Sequence, residues 1–173
     1  MNLNYFELFD LKPIFNVELA TLESNFRKIQ FESHPDRFVT ASAAEKLGAM
    51  QRATLANEAF ICIKNPARRA KYLLELQGIT AISESNTAMP TDFLMQQMEW
   101  REATEDAVSA KDITALDRLL SEIRVEANSL QERLVSLLDV QKDYFAATDT
   151  TRKLIFIDKV SEDINRAIEE IDI

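Results

Sequence analysis

The sequence predicts an all-α protein, and three observations carry the prediction. Two glycines and four prolines in 173 residues are too few for a β-rich chain, which needs many tight turns. Val, Ile and Thr do not cluster into alternating runs. Apolar residues recur instead at helical spacing over most of the length. Hydrophobic residues make up 46% of the chain, enough for packed cores, and the length suits one domain or two small ones.

The elements follow in order. "NYFELFD" predicts a short helix near residues 4–9, with Tyr5, Phe6, Leu8 and Phe9 as its apolar residues and Pro13 closing it off. Asn16 is a good N-cap for a second helix that runs to about Ser33. Leu19, Leu22, Phe26 and Ile29 fall on one face of it, and Arg27 and Lys28 point away. Pro35 lacks an N–H and disfavours α geometry at the residue before it, so His34-Pro35-Asp36-Arg37 falls on a connection. Ser42-Ala43-Ala44-Glu45 matches a capping box and opens a third helix, whose apolar positions are Leu47, Met50, Leu55, Ala59 and Ile63. Asn65-Pro66 interrupts it, and "ARRAKYLLELQ" then reads as a further short helix ended by Gly78.

Residues 79–91, "ITAISESNTAMPT", have little periodicity and read as a linker. The chain thus divides into 1–78, the linker, and 92–173. Three helices are predicted in the last part, at about 92–109, 113–145 and 150–171. Asp112 or Thr114 suits the cap of the second, and Thr148 or Asp149 that of the third. Leu154, Ile157, Val160, Ile164, Ile168 and Ile171 form one stripe, which an antiparallel three-helix bundle buries.

Several function classes drop out. Cys62 is the only cysteine and His34 the only histidine, so a disulfide within the chain or a Cys/His zinc site lacks its partners. Cys62 lies in "AFICI" and reads as a small core residue. The N-terminus has no basic region before an apolar stretch, and no apolar run approaches membrane-spanning length. A reducing cytoplasm is the expected compartment. The net charge of −9 is unevenly spread: residues 1–75 hold ten Lys/Arg against nine Asp/Glu, and residues 76–173 hold ten against twenty. The two halves offer different electrostatic surfaces, and the acidic one disfavours nucleic acid.

Two groups of residues stand out. Arg27, Lys28 and Arg37 form a cationic strip around His34-Pro35-Asp36, suited to steering onto an acidic protein surface. The plainer reading of Arg27 and Lys28 is a solvated helix face. His34 and Asp36 read either as an acid/base pair, though no nucleophile or Gly-rich loop accompanies them, or as groups that structure the loop. In the helix at 92–109, Phe93, Trp100, Ala103 and Ala107 share one face. Leu94, Met95 and Met98 lie roughly opposite, with Glu99, Glu102, Glu105 and Asp106 around them. A second apolar stripe rich in Met and ringed by carboxylates suggests a partner surface. The alternative is burial of both faces, which the carboxylates oppose.

The helix with "FRKIQFES", the His34-Pro35-Asp36-Arg37 connection and the long helix after it resemble a J-domain, the module that docks on DnaK-type chaperone ATPases. With "NYFELFDLKPIF", "NPARRAKYLLELQG" and "FLMQQMEWRE", the resemblance extends over nearly the full length to the HscB family, J-type co-chaperones of iron–sulfur cluster assembly. It implies a J-domain in 1–78 and a scaffold-binding bundle in 92–173. Arg27, Lys28, His34, Pro35, Asp36 and Arg37 would act on a chaperone of the HscA kind and promote its ATP hydrolysis. Leu94, Met95, Met98, Glu99, Glu102 and Asp106 would take the IscU scaffold protein. "RKLIFIDK" also matches and adds Phe156, which otherwise reads as an edge of the core stripe. The implied role is to deliver the scaffold to the chaperone and aid cluster transfer, with no cofactor, no nucleotide, no enzymatic activity and no membrane or nucleic-acid partner; a monomer is expected. A general J-domain co-chaperone for protein folding is the alternative. Three departures qualify the match. Ser33 stands where J-domains usually have an aromatic residue, and Glu32 dilutes the positive charge, which implies a less rigid loop and weaker docking. Asp106 stands where Glu is common and reaches less far.

Overall fold

The computed structural model describes residues 2–82 and 88–173. Seven α-helices are found among them: α1 Tyr5–Leu8, α2 Leu19–Glu32, α3 Ala43–Lys64, α4 Pro66–Leu76, α5 Thr91–Ser109, α6 Ile113–Leu134 and α7 Tyr144–Ile171. A 3₁₀ turn, Pro35–Phe38, joins α2 to α3, and a π-helical segment, Val135–Val140, follows α6. No strand occurs among the described residues. By packing the chain divides into 1–73 and 74–173, a division that falls inside α4. Residues 83–87 of the predicted linker lie outside the described residues.

In the first unit α2 and α3 form a helical hairpin. Phe6, Phe9 and Phe15 are fully buried with Leu22 and Ile63, and Phe26 stacks on Phe60 with ring centroids 4.1 Å apart. Asn4 and Ser42 each make a full capping box, with Glu7 and with Glu45. The predicted Asn16 cap is not used: α2 starts later, after Glu18, and has no side-chain cap. Leu19 is therefore the first helical residue and stays exposed instead of joining the core face. Lys64 meets Glu23 at 3.7 Å and Arg52 meets Glu32 at 3.2 Å, which fixes the register of the hairpin. With 22 residues in α3 against 14 in α2, the first turns of α3 run past α2. That overhang is why Leu47 and Met50, expected in the core, are exposed. Leu55 is also exposed, and Ala56, Ala59 and Ile63 supply the buried face. Cys62 is only half-buried, beside an exposed Ile61.

The second unit is a bundle in which α5, α6 and α7 all pack together. Its short connections make neighbouring helices antiparallel. Both use one device: a left-handed lysine, Lys111 (φ 51°) or Lys142 (φ 53°), followed by an aspartate that caps the next helix. Asp112 accepts from the Ala115 N–H at 3.0 Å and Asp143 from that of Ala146 at 3.1 Å. The last two helices differ from expectation here. The α-helix predicted to reach 145 ends at Leu134 and widens into the π segment, a break that the continuous Leu and Val run hides in the sequence. α7 then starts at Tyr144, and Thr148 and Asp149 lie inside it. Within the predicted linker, Ala81 is fully buried and its carbonyl accepts from Arg152 Nε at 2.6 Å. Arg152, itself buried, also reaches Asp149 at 3.4 Å. The start of that segment is thus tied to α7.

Candidate functional site

The first candidate site follows from the end of α2. His34 has extended backbone angles and Pro35 takes the first position of the 3₁₀ turn, where its missing N–H costs nothing. The Asp36 N–H donates to His34 Nδ1 at 3.2 Å, and the Arg37 N–H donates to the His34 carbonyl at 3.0 Å. That bond makes His34 a cap for the turn, so its Nδ1 serves as an acceptor. The Asp36 carboxylate lies 3.7 Å from the same nitrogen, with both side chains largely exposed. The Arg37 guanidinium covers the Phe31 ring at 4.7 Å. Arg27 and Lys28 are exposed, side by side in sequence, a little over one turn before the end of α2. Ser33 is buried and its hydroxyl donates to the Ile29 carbonyl, while Glu32 is engaged by Arg52. The loop is therefore pinned by four local contacts, contrary to the looser packing expected from Ser33. An open pocket of about 520 Å³ lies beside it, with Ser33, Pro35 and Asp36 on one side and Lys46 and Met50 of α3 on the other.

The second lies on the bundle. Phe93, Trp100 and Ala107 are the buried seam of α5. Ala103, expected with them, is exposed because the seam is narrow and Ala103 sits at its far edge. On the outer side Leu94, Met95 and Met98 are 44%, 59% and 71% exposed. Phe156 of α7 is 36% exposed and packs edge-on against Phe93, with centroids 6.4 Å apart. Phe93 stands in the same relation to Trp100, and Lys153 Nζ lies 5.6 Å from its ring centre. The Phe156 ring is thus supported on one side and open on the other. Leu94, Met98 and Phe156 line one groove of about 650 Å³ between α5 and α7. Met95, Glu99, Glu102 and Asp106 do not line it; at spacings of four, three and four residues they form an adjacent exposed stripe. An apolar groove beside an acidic stripe suits a protein surface with an apolar projection and basic neighbours.

Sequence reasoning assigned Leu94, Met98 and Phe156 of the groove to the site, placed Glu105 around it and read Val160 and Ile164 as core. It missed Gln97, Arg101 and Thr104 of α5 and Lys159 and Asp163 of α7. The signal was present as the spacing of three to four residues continuing from Leu94 and from Phe156. What was lacking was the knowledge that these two faces meet.

The comparisons with known proteins agree on a single family. Residues 89–165 match the family model described as the HSCB C-terminal oligomerisation domain. A co-chaperone protein HscB homolog of Burkholderia multivorans is 46% identical over 169 residues, covering 98% of this chain and 96% of that protein. Chaperone HscB from Vibrio cholerae has a solved structure that superimposes with a TM-score of 0.82 at 37% identity, over 98% of this chain and 99% of that one. The crystal structure of human co-chaperone protein HscB gives a TM-score of 0.88 at 26% identity, over 99% and 84%.

Proposed function

The chain belongs to the HscB co-chaperone family, with a J-domain followed by a helical bundle, and on that premise we propose that it is an adaptor in iron–sulfur cluster assembly. Its first site docks on a DnaK-type chaperone of the HscA kind and stimulates ATP hydrolysis there. Its second site holds the IscU scaffold protein, so that the scaffold reaches the chaperone while ATP turns over and cluster transfer is favoured. The reading assigns the first contact to Arg27, Lys28, His34, Pro35, Asp36 and Arg37, within residues 1–78. It assigns the second to Leu94, Met95, Met98, Glu99, Glu102, Asp106 and Phe156, within 92–173, with 79–91 between. Linking two contacts in one chain raises the affinity of the ternary complex above that of either alone. The work would take place in the cytoplasm, and among the described residues no helix is long and apolar enough to cross a membrane.

One observation supports this most: the groove of Leu94, Met98 and Phe156 is apolar, open and flanked by an acidic stripe. Such a surface suits one folded client better than many unfolded ones, because the acidic flank demands a matching charge pattern. The test is a steady-state ATPase assay with the chaperone of the same organism. Adding the chain should raise the rate, and adding the scaffold should raise it again. Calorimetry should give scaffold binding without binding to a denatured protein. Broad binding to denatured proteins would favour a general folding co-chaperone instead. The family model's description names oligomerisation, so the oligomeric state is read by sedimentation of the free chain, where a monomeric adaptor gives the mass of one chain.

A further inference from the structure

The groove holds two donors that no group among the described residues engages. Its other charged groups are closed into pairs: Arg101 Nε meets Glu105 Oε1 at 3.0 Å, and Asp163 meets Arg166 at 3.5 Å. Lys159, which lines the groove one turn after Phe156, has no hydrogen bond or ion pair among the described residues. Gln97, one turn after Leu94, leaves its side-chain Nε2 buried with no hydrogen-bond partner.

Filling this groove with an apolar side chain strips water from the exposed Lys159 ammonium, while the Gln97 amide, already buried, stays unpaired unless the partner brings an acceptor. An ammonium that loses water without gaining a partner opposes binding. A partner that seats well must therefore bring an acceptor with its apolar projection, and a carboxylate suits an ammonium best. Resting on the scaffold-binding reading above, we infer that the scaffold presents a carboxylate beside the residue that enters the groove. That carboxylate closes on Lys159, with Gln97 donating to the same group or to a neighbouring carbonyl. The acidic stripe of Glu99, Glu102 and Asp106 asks for the opposite charge on its own side. The two demands together fix the direction in which a partner can lie across α5 and α7.

The sign of two substitutions tests this. Lys159→Met keeps the apolar stem and removes the charge. With a carboxylate opposite, scaffold affinity falls about tenfold, and Lys159→Glu lowers it further. Without one, Lys159→Met relieves desolvation and binding tightens or stays the same, which overturns the inference. Gln97→Leu removes a buried unpaired donor, so the free chain should melt higher while scaffold affinity falls severalfold. A higher melting temperature with unchanged affinity overturns the part given to Gln97. Arg124→Glu, the same charge change on the exposed side of α6, is the control and should leave affinity within about twofold. If the unmodified chain fails to bind the scaffold, the scaffold-binding reading itself is overturned. If it binds and Lys159→Glu matches the control, only the inference falls.

Discussion

The two proposed contact sites are built in opposite ways. The chaperone-facing one lies in a single stretch, residues 27–37, and its geometry comes from bonds between near neighbours: Asp36 to His34, Arg37 to His34, Ser33 to Ile29. The scaffold-facing one joins Leu94 and Met98 to Phe156, and depends on α5 and α7 packing side by side. A site of the first kind survives changes elsewhere as long as its own turn forms. A site of the second kind exists only while a bundle core holds two helix faces together. The difference predicts how each should fail.

The largest effect is expected at the local site. His34 is exposed, and its one side-chain hydrogen bond among the described residues is accepted from the Asp36 N–H. His34→Gln should abolish stimulation of the chaperone ATPase, with the melting temperature and scaffold affinity unchanged. Stimulation at the unmodified level would remove His34 from the assignment. At the groove, Leu94→Ala combined with Met98→Ala should weaken scaffold binding by about tenfold to a thousandfold, as truncation of apolar anchors does. Stimulation measured without scaffold should not change. Undiminished affinity in calorimetry would detach the groove from the scaffold, and a fall in scaffold-free stimulation would show that the two sites are not separable.

A smaller effect probes the dependence of the second site on its bundle. Arg152 is buried and donates to the Ala81 carbonyl, itself in a fully buried residue. Arg152→Leu leaves that carbonyl without its donor, at a cost of about 1–3 kcal/mol. Urea unfolding followed by helix signal should show the loss. The loosening should appear as faster amide exchange around residues 79–82, and the turn at 34–38 should exchange as before.

The same contrast explains what could be read from the chain. Helix identity, the capping box at Ser42, and the connection at His34-Pro35-Asp36 are local, and residue types announce them. The exposed stripe on α5 was legible because carboxylates beside Leu94, Met95 and Met98 forbid burial. Most of the misreadings that bear on the sites involve facts held at a distance. Leu47 and Met50 look like core by spacing, but α2 is too short to cover them. The π segment at Val135–Val140 has the composition of the helix it interrupts. Ala81 looks like linker and is held by Arg152, which lies far along the chain. Lys159 and Gln97 carry no mark in the sequence, since only the meeting of two helices puts them in one groove.

The smallest effect returns to the first unit. Ser42 accepts from the Glu45 N–H at 3.2 Å, and Glu45 Oε2 accepts from the Ser42 N–H at 3.1 Å. Ser42→Ala removes the first of these and should cost about 1 kcal/mol. The turn it caps begins the overhanging part of α3, which carries Lys46 and Met50 beside Pro35 and Asp36. Fraying there disturbs the neighbourhood of the His34 turn without touching its own hydrogen bonds. If the geometry of that turn is truly local, ATPase stimulation at saturating chain should stay within about twofold while the melting temperature falls by a few degrees. A loss of stimulation out of proportion to the lost stability would mean that α3 contributes directly to chaperone contact. The first site would then also be assembled from separate parts of the chain, and its contrast with the groove would narrow to a matter of degree.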